Sequence, residues 1–133
     1  MQQRIVVKIG SSSLTKENGE INEQKITYFA NELVQLQKAG NEVLLVTSGS
    51  VAAGFKHIGY STRPKLLREK QASAAVGQAL LMEAYSEAFH QHGHKVAQIL
   101  LTRENFSIRK QANNAMMTIE ELLRRGIIPI VNE

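Results

Sequence analysis

Four short runs of almost wholly apolar residues, separated by stretches with helical periodicity, constrain this chain most. They are Ile5-Val6-Val7-Lys8-Ile9, Val43-Leu44-Leu45-Val46-Thr47, Val96 to Leu101 and Ile127-Ile128-Pro129-Ile130-Val131. β-Branched residues dominate them, as strands prefer. A strand with one wet face alternates apolar and polar residues. Strands that are apolar throughout are covered on both sides, which points to a parallel sheet between helical layers. The expected fold class is therefore α/β, a three-layer αβα sandwich around a mainly parallel sheet. With 133 residues the chain is long enough for one domain with a real core.

The intervening segments fit that plan. Glu17-Asn18-Gly19-Glu20 signals a turn. Asn22 is placed to cap a helix whose stripe is Ile26, Phe29, Ala30, Leu33 and Leu36, with Gly40 ending it. A short helix is predicted over 51–58, running into Gly59, and a long one over 66–92, stopped by Gly93. The middle of the long helix, Ala72 to Ala79, is rich in small residues, as expected where helix and sheet backbones approach closely. Two shorter helices are predicted within 104–125, the second with Ala115, Met116, Ile119, Leu122 and Leu123 facing inward. Pro129 inside the fourth run favours an edge strand or a bulge there. A βα unit should continue into a covering helix after that strand, so the chain reads as the front part of a larger domain. Its fourth strand is expected to be unpaired and uncovered, leaving an apolar surface prone to self-association.

Composition narrows the function classes. There are no cysteines, which sets aside disulfides and thiolate metal sites and fits a cytoplasmic setting. The N-terminus enters a strand directly, without a signal peptide, and no apolar run approaches membrane-spanning length. The net charge of +4 comes from dispersed basic residues, and aromatics are only 5% with no Trp. Nucleic-acid binding needs basic clustering and stacking platforms, so no nucleic acid and no membrane is expected as partner. His90, His92 and His94 alternate around a glycine stop. They read either as a metal cluster or as imidazoles meeting a helix C-terminus, the second being the simpler account.

In a parallel sheet the C-terminal ends of all strands share one rim, where ligands bind. On that rim this sequence places Lys8-Ile9-Gly10-Ser11, Ser48-Gly49-Ser50, Thr102-Arg103 and Asn132-Glu133. An ammonium inside an apolar strand must reach water or meet an anion. Gly10 is expected to let the backbone turn sharply after the strand. Lys8 is thus either an edge-strand lysine that snorkels to solvent or a phosphate ligand backed by Gly10 and the donors of Ser11 to Ser13. Ser48-Gly49-Ser50 opens a helix whose free N–H groups favour a carboxylate or phosphate, and Ser48 is also a candidate helix cap. The common nucleotide motifs GxxxxGK[ST] and GxGxxG are absent.

Val6-Val7-Lys8-Ile9-Gly10-Ser11-Ser12 resembles the opening lysine strand and loop of the amino acid kinase family. Val46 to Gly54, Lys70 to Gln78, Gln98 to Arg103 and Ile128 to Glu133 resemble further segments of its glutamate-phosphorylating branch. The resemblance implies ATP-dependent phosphorylation of the L-glutamate side-chain carboxylate, with Mg²⁺, as the first step of proline biosynthesis. It implies Lys8 as the catalytic cation on the transferring phosphoryl group. Lys8, Gly10 and Ser11 would face the ATP phosphates, and Ser48, Gly49 and Asn132 would bind substrate. Adenine and metal contacts would lie outside this chain, which would be the amino-acid side of the kinase domain and inactive alone. Proline as feedback inhibitor, a homo-oligomeric full-length enzyme and a downstream glutamyl phosphate reductase follow from the same resemblance. Rival readings are another member of the family, or a non-catalytic sensor that binds glutamate or proline on the same rim.

Overall fold

The computed structural model describes residues 2–100 and 107–132. Strand β1 spans Arg4–Ile9, and a 3₁₀ turn, Ser11–Ser13, follows it directly. Helix α1 (Glu23–Lys38) leads into β2 (Glu42–Thr47), then α2 (Ser50–Ile58) and the long α3 (Leu67–His90). Strand β3 (Val96–Ile99), helix α4 (Arg109–Arg124) and strand β4 (Ile128–Asn132) complete the order. The expected end of the third strand at Leu101, the Thr102-Arg103 pair, the start of the 104–125 helical segment and Glu133 lie outside the described residues.

Among the described residues all pairings within the sheet are parallel, and the sheet order is β1-β2-β4-β3. The three-layer α/β sandwich predicted from the apolar runs is the observed fold. One face carries the main core: Ile9, Val43, Leu45, Ile128 and Ile130 of the strands meet Ile26, Ala30, Leu33 and Val34 of α1 and Leu81, Tyr85, Ala88 and Phe89 of α3. On the other face, Ile119 and Leu123 of α4 pack with Ile99, Leu44 and Val131. No helix among the described residues is long and apolar enough to cross a membrane.

Local signals set the helix ends. The Asn22 side chain accepts a hydrogen bond from the Lys25 N–H at 3.2 Å, and the chain turns out of α1 through Gly40 at φ 98°. Gly93, at φ 74°, sits where α3 was expected to stop.

Four expectations need correction. Strand β4 is neither an edge nor exposed, for it lies between β2 and β3 with Ile128, Pro129 and Ile130 buried. Pro129 is tolerated there because its missing N–H falls at the very start of the β2–β4 ladder. The Ile128 N–H turns toward β3, to the Lys95 carbonyl, so the Pro129 nitrogen turns toward β2, whose register with β4 begins only at Ile130. The open apolar strand position is instead on β1, where Val6 is 57% exposed. Second, the small residues of α3 meet another helix and not the sheet. A Cβ on Gly77 would stand 1.7 Å from the Ser50 carbonyl oxygen, and one on Gly54 would stand 1.9 Å from that of Ser73, so α2 and α3 touch backbone to backbone. Third, Met116 is 45% exposed, whereas Ile119, Leu122 and Leu123 of the same helix pack fully or partly onto the sheet. Fourth, Gly10 does not make the turn after β1. Its φ of −83° and ψ of 165° are extended, and the turn belongs to the three serines.

A candidate anion-binding rim at the strand ends

The ends of β1 and β2 are joined by hydrogen bonds just past the ladder. Ile9 pairs with Thr47, and the next residue, Ser48, donates both its N–H (3.1 Å) and its Oγ–H (3.4 Å) to the Ile9 carbonyl. Ser48 is therefore committed to β1 and does not cap α2. The cap is Gly49, at φ 100°, with no side-chain bond to the helix. That φ favours glycine, and so does the packing: a Cβ at Gly49 would come within 2.9 Å of Ser11 Cα. The Ser48-Gly49 turn and the Ser11 turn are thus in van der Waals contact. The serine turn is itself tied down. Ser13 N–H donates to the Gly10 carbonyl at 3.1 Å, Thr15 Oγ1–H donates to the Ser11 carbonyl at 3.2 Å, and the fully buried Leu14 anchors the segment in the core.

Lys8 is exposed and, by the alternation of a strand, shares the face of Arg4 and Val6, the side that carries α4. Arg4 at the opposite end of that strand is paired with Glu42 at 3.1 Å and with Glu120 of α4 at 3.6 Å. Gly10 has open space around it: a Cβ there would meet nothing within 4 Å. Neither its backbone angles nor its packing demands glycine. Asn132 stands beside Thr47 in the β2–β4 register, and its Nδ2 is buried without a hydrogen-bond partner. A buried donor of this kind is costly unless something accepts from it.

The predicted rim residues Lys8, Gly10, Ser11, Ser48, Gly49 and Asn132 therefore line the ends of three adjacent strands, whereas Thr102 and Arg103 lie outside the described residues. Helix α2 directs the free N–H groups of its first turn at this rim, where they favour an anion. The chain contains no aspartate at all, and no three His or Glu side chains come together as a metal-holding group among the described residues. Backbone donors and the Lys8 ammonium are present on this rim.

Two residues missed by the sequence reading lie directly beneath the turn. Thr47 Oγ1 and the Tyr85 hydroxyl are 3.1 Å apart, and both residues are fully buried. Burial pushes the Tyr85 hydroxyl up to about 12, against the smaller opposing effect of its bond to Thr47. The signal in the sequence was a lone phenol on the stripe Leu81, Tyr85, Ala88, Phe89, where a buried tyrosine needs a partner for its hydroxyl.

An open parallel sheet with donor-rich turns at its strand ends is the α/β arrangement in which ligands bind along the strand-end rim. Residues 3–133 match the amino acid kinase family, and the chain belongs to that family. It is similar to glutamate 5-kinase 2 of Bacillus licheniformis, with 54% identity over 132 residues, 99% of this chain and 35% of that protein. Glutamate 5-kinase 1 of Bacillus subtilis is 55% identical over 132 residues, covering 99% of this chain and 36% of the relative. The chain thus spans about a third of the length of these curated relatives. Among solved structures, aspartate kinase from Synechocystis superposes with a TM-score of 0.58 at 15% identity, over 95% of this chain and 21% of that one, a likeness of fold alone.

Proposed function

We propose that this chain is the amino-acid-binding part of a kinase that phosphorylates the side-chain carboxylate of L-glutamate with ATP, giving γ-glutamyl phosphate for proline biosynthesis. The observation that carries this reading is the contact between the two turns. It sets the Lys8-Gly10-Ser11 segment against Ser48-Gly49 on one rim. Two anions, a carboxylate and a phosphate, must be brought together, and positioning with charge neutralisation is most of what phosphoryl transfer needs.

In this reading Lys8 compensates the charge that spreads over the transferring phosphoryl oxygens. Gly10, with room around it, lets the backbone approach the phosphates, and Ser11 supplies donors beside it. Gly49 and the first N–H groups of α2 hold the glutamate carboxylate, Ser48 fixes their turn against β1 through its bonds to Ile9, and the unpartnered Asn132 Nδ2 donates to the same substrate. Mg²⁺ supplies charge neutralisation on the phosphates, and its ligands, like the adenine contacts, come from outside these residues. The reading carries with it a cytoplasmic, homo-oligomeric enzyme, proline as feedback inhibitor and a glutamyl phosphate reductase downstream. The high identity to proteins named glutamate 5-kinase supports glutamate over the substrates of other family members.

Hydroxylamine trapping of acyl phosphate tests this. The chain is joined to the part of the Bacillus subtilis relative that it does not match, and the hybrid is assayed beside the chain alone. Hydroxamate that depends on both glutamate and ATP is expected from the hybrid, and none from the chain alone. A hybrid that binds glutamate or proline in calorimetry yet consumes no ATP would identify a sensor instead. Turnover by the chain alone would refute the division of labour.

A further inference from the structure

Beneath the Ser48-Gly49 turn, two buried hydroxyls form a directed chain. Thr47 Oγ1 lies 3.1 Å from the Tyr85 hydroxyl and 3.4 Å from the Ser48 carbonyl oxygen. Each hydroxyl has one proton to give. If Thr47 donated to Tyr85, the phenol proton would have no acceptor among the described residues and the Ser48 carbonyl would lose its donor. Leaving a buried donor unmade is the costlier arrangement. Both protons are used only when Tyr85 donates to Thr47 and Thr47 donates to the Ser48 carbonyl. The phenol remains a donor across the neutral range, being pushed up to about 12 by burial.

A trans peptide is planar, with its C=O and N–H pointing opposite ways. Drawing the Ser48 carbonyl toward the buried Thr47 hydroxyl therefore turns the Gly49 N–H away from the core. Gly49 itself has φ 100° and ψ 12°, close to the third position of a type II turn, where the central peptide is held in one of its two flipped orientations. The peptide is thus fixed from below by the hydroxyl pair and along the chain by glycine.

We propose that Tyr85 is a positioning residue for the substrate turn. Acting through Thr47, it holds the Ser48–Gly49 peptide with the Gly49 N–H turned to the rim, available to an anionic group of the substrate. This rests on the function proposed above, and Tyr85 itself touches no reactant.

The test uses the hybrid kinase. Thr47→Val should raise the glutamate KM about three- to tenfold, the worth of one net neutral hydrogen bond, with kcat within about twofold. Tyr85→Phe leaves the Thr47 hydroxyl in place but free to rotate off the Ser48 carbonyl, and should raise KM by a smaller factor of about two or more, while Thr47→Ser, which keeps the hydroxyl, should restore the parental KM. The double variant Tyr85→Phe/Thr47→Val should be no worse than the poorer single, since both act on one peptide. A purely structural role would lower the melting temperature and leave KM unmoved. A parental KM in Tyr85→Phe, or a Thr47→Ser variant as impaired as Thr47→Val, overturns the inference. If the parent hybrid forms no hydroxamate, the functional reading fails. Crystal structures of the hybrid and its Thr47→Val variant then decide the inference alone: a flipped or doubly oriented Ser48–Gly49 peptide is expected, and an unmoved one refutes it.

Discussion

Replacing Gly77 by alanine would put a methyl group 1.7 Å from the Ser50 carbonyl oxygen, 2.7 Å from the Ser50 carbonyl carbon and 2.9 Å from the Gly54 nitrogen. These are backbone atoms of α2, so no side-chain rotation relieves the clash. Ordinary contact begins near 3.4 Å, so the separation from the Ser50 oxygen would have to double. Overpacking a core costs about 1–3 kcal/mol when side chains can adjust, and a backbone clash lies at or above the top of that range. Alanine recovers about 1 kcal/mol of helix propensity relative to glycine. The net loss is then roughly 2 kcal/mol or more, which for a chain of this size lowers the melting temperature by about 5–10 °C. Circular dichroism melts of the parent, Gly77→Ala and the exposed control Ser86→Ala measure it. The control should stay within about 0.5 kcal/mol of the parent. Because the atom struck belongs to Ser50, the rim turn moves with α2, and the hybrid kinase should also show a raised glutamate KM. A Gly77→Ala protein that melts at or above the parental temperature would refute the reasoning, since the helix propensity gain would then exceed the clash.

Further outcomes follow from single contacts. Lys8→Ala in the hybrid should lower kcat by ~10²–10³, as losing one preorganised charge partner does, with the glutamate KM nearly unchanged; steady-state kinetics decides. Ser48→Ala should raise that KM with less than the roughly 1 kcal/mol stability loss of a removed helix cap, because the cap is Gly49 and the Ser48 N–H keeps the Ile9 carbonyl bonded when the 3.4 Å Oγ bond is lost. Ser73 Oγ is buried without a partner, so Ser73→Ala should raise the melting temperature, an unmade buried hydrogen bond costing ~1–3 kcal/mol. His94 is held below the usual 6.5, first by burial and then by His92 and Lys38. Its folded form therefore resists protonation, and stability present above pH 6.5 is lost as the pH falls from there toward the lowered value. Urea midpoints at pH 7.5 and 5 should drop less in His94→Gln than in the parent.

The readability of this chain divides along a physical line. Asn22, Gly40 and Gly93 mark helix ends through short-range rules, and the structure has the helices ending there. The four apolar runs disclosed a parallel sheet, and its shared rim brought Lys8, Ser48, Gly49 and Asn132 together on paper as they are in space. Strand order was not legible, because no local pattern tells Ile128–Asn132 which neighbours it will have, and proline statistics pointed to the wrong one. The small residues of α3 announced a close approach but not its partner, since periodicity defines a face and not what meets it. Gly10 looked like a hinge, yet its conformation is ordinary. Tyr85 was hidden for a related reason. Its role depends on a hydroxyl 38 positions earlier in the chain, at the end of β2.

The insertion of β4 between β2 and β3 has a consequence for how the polypeptide is made. Strands β2 and β3 emerge from the ribosome well before Ile128–Asn132, and neither can complete its ladder until that segment arrives. The nascent chain therefore carries two unsatisfied strand edges through the synthesis of α4, an interval in which a foreign strand could be recruited. Closure depends on pairings between residues some thirty to ninety positions apart, which are slow to form. A rare-codon stall just before Ile128 should lengthen that interval and increase capture by chaperones, while the finished fold would remain the same.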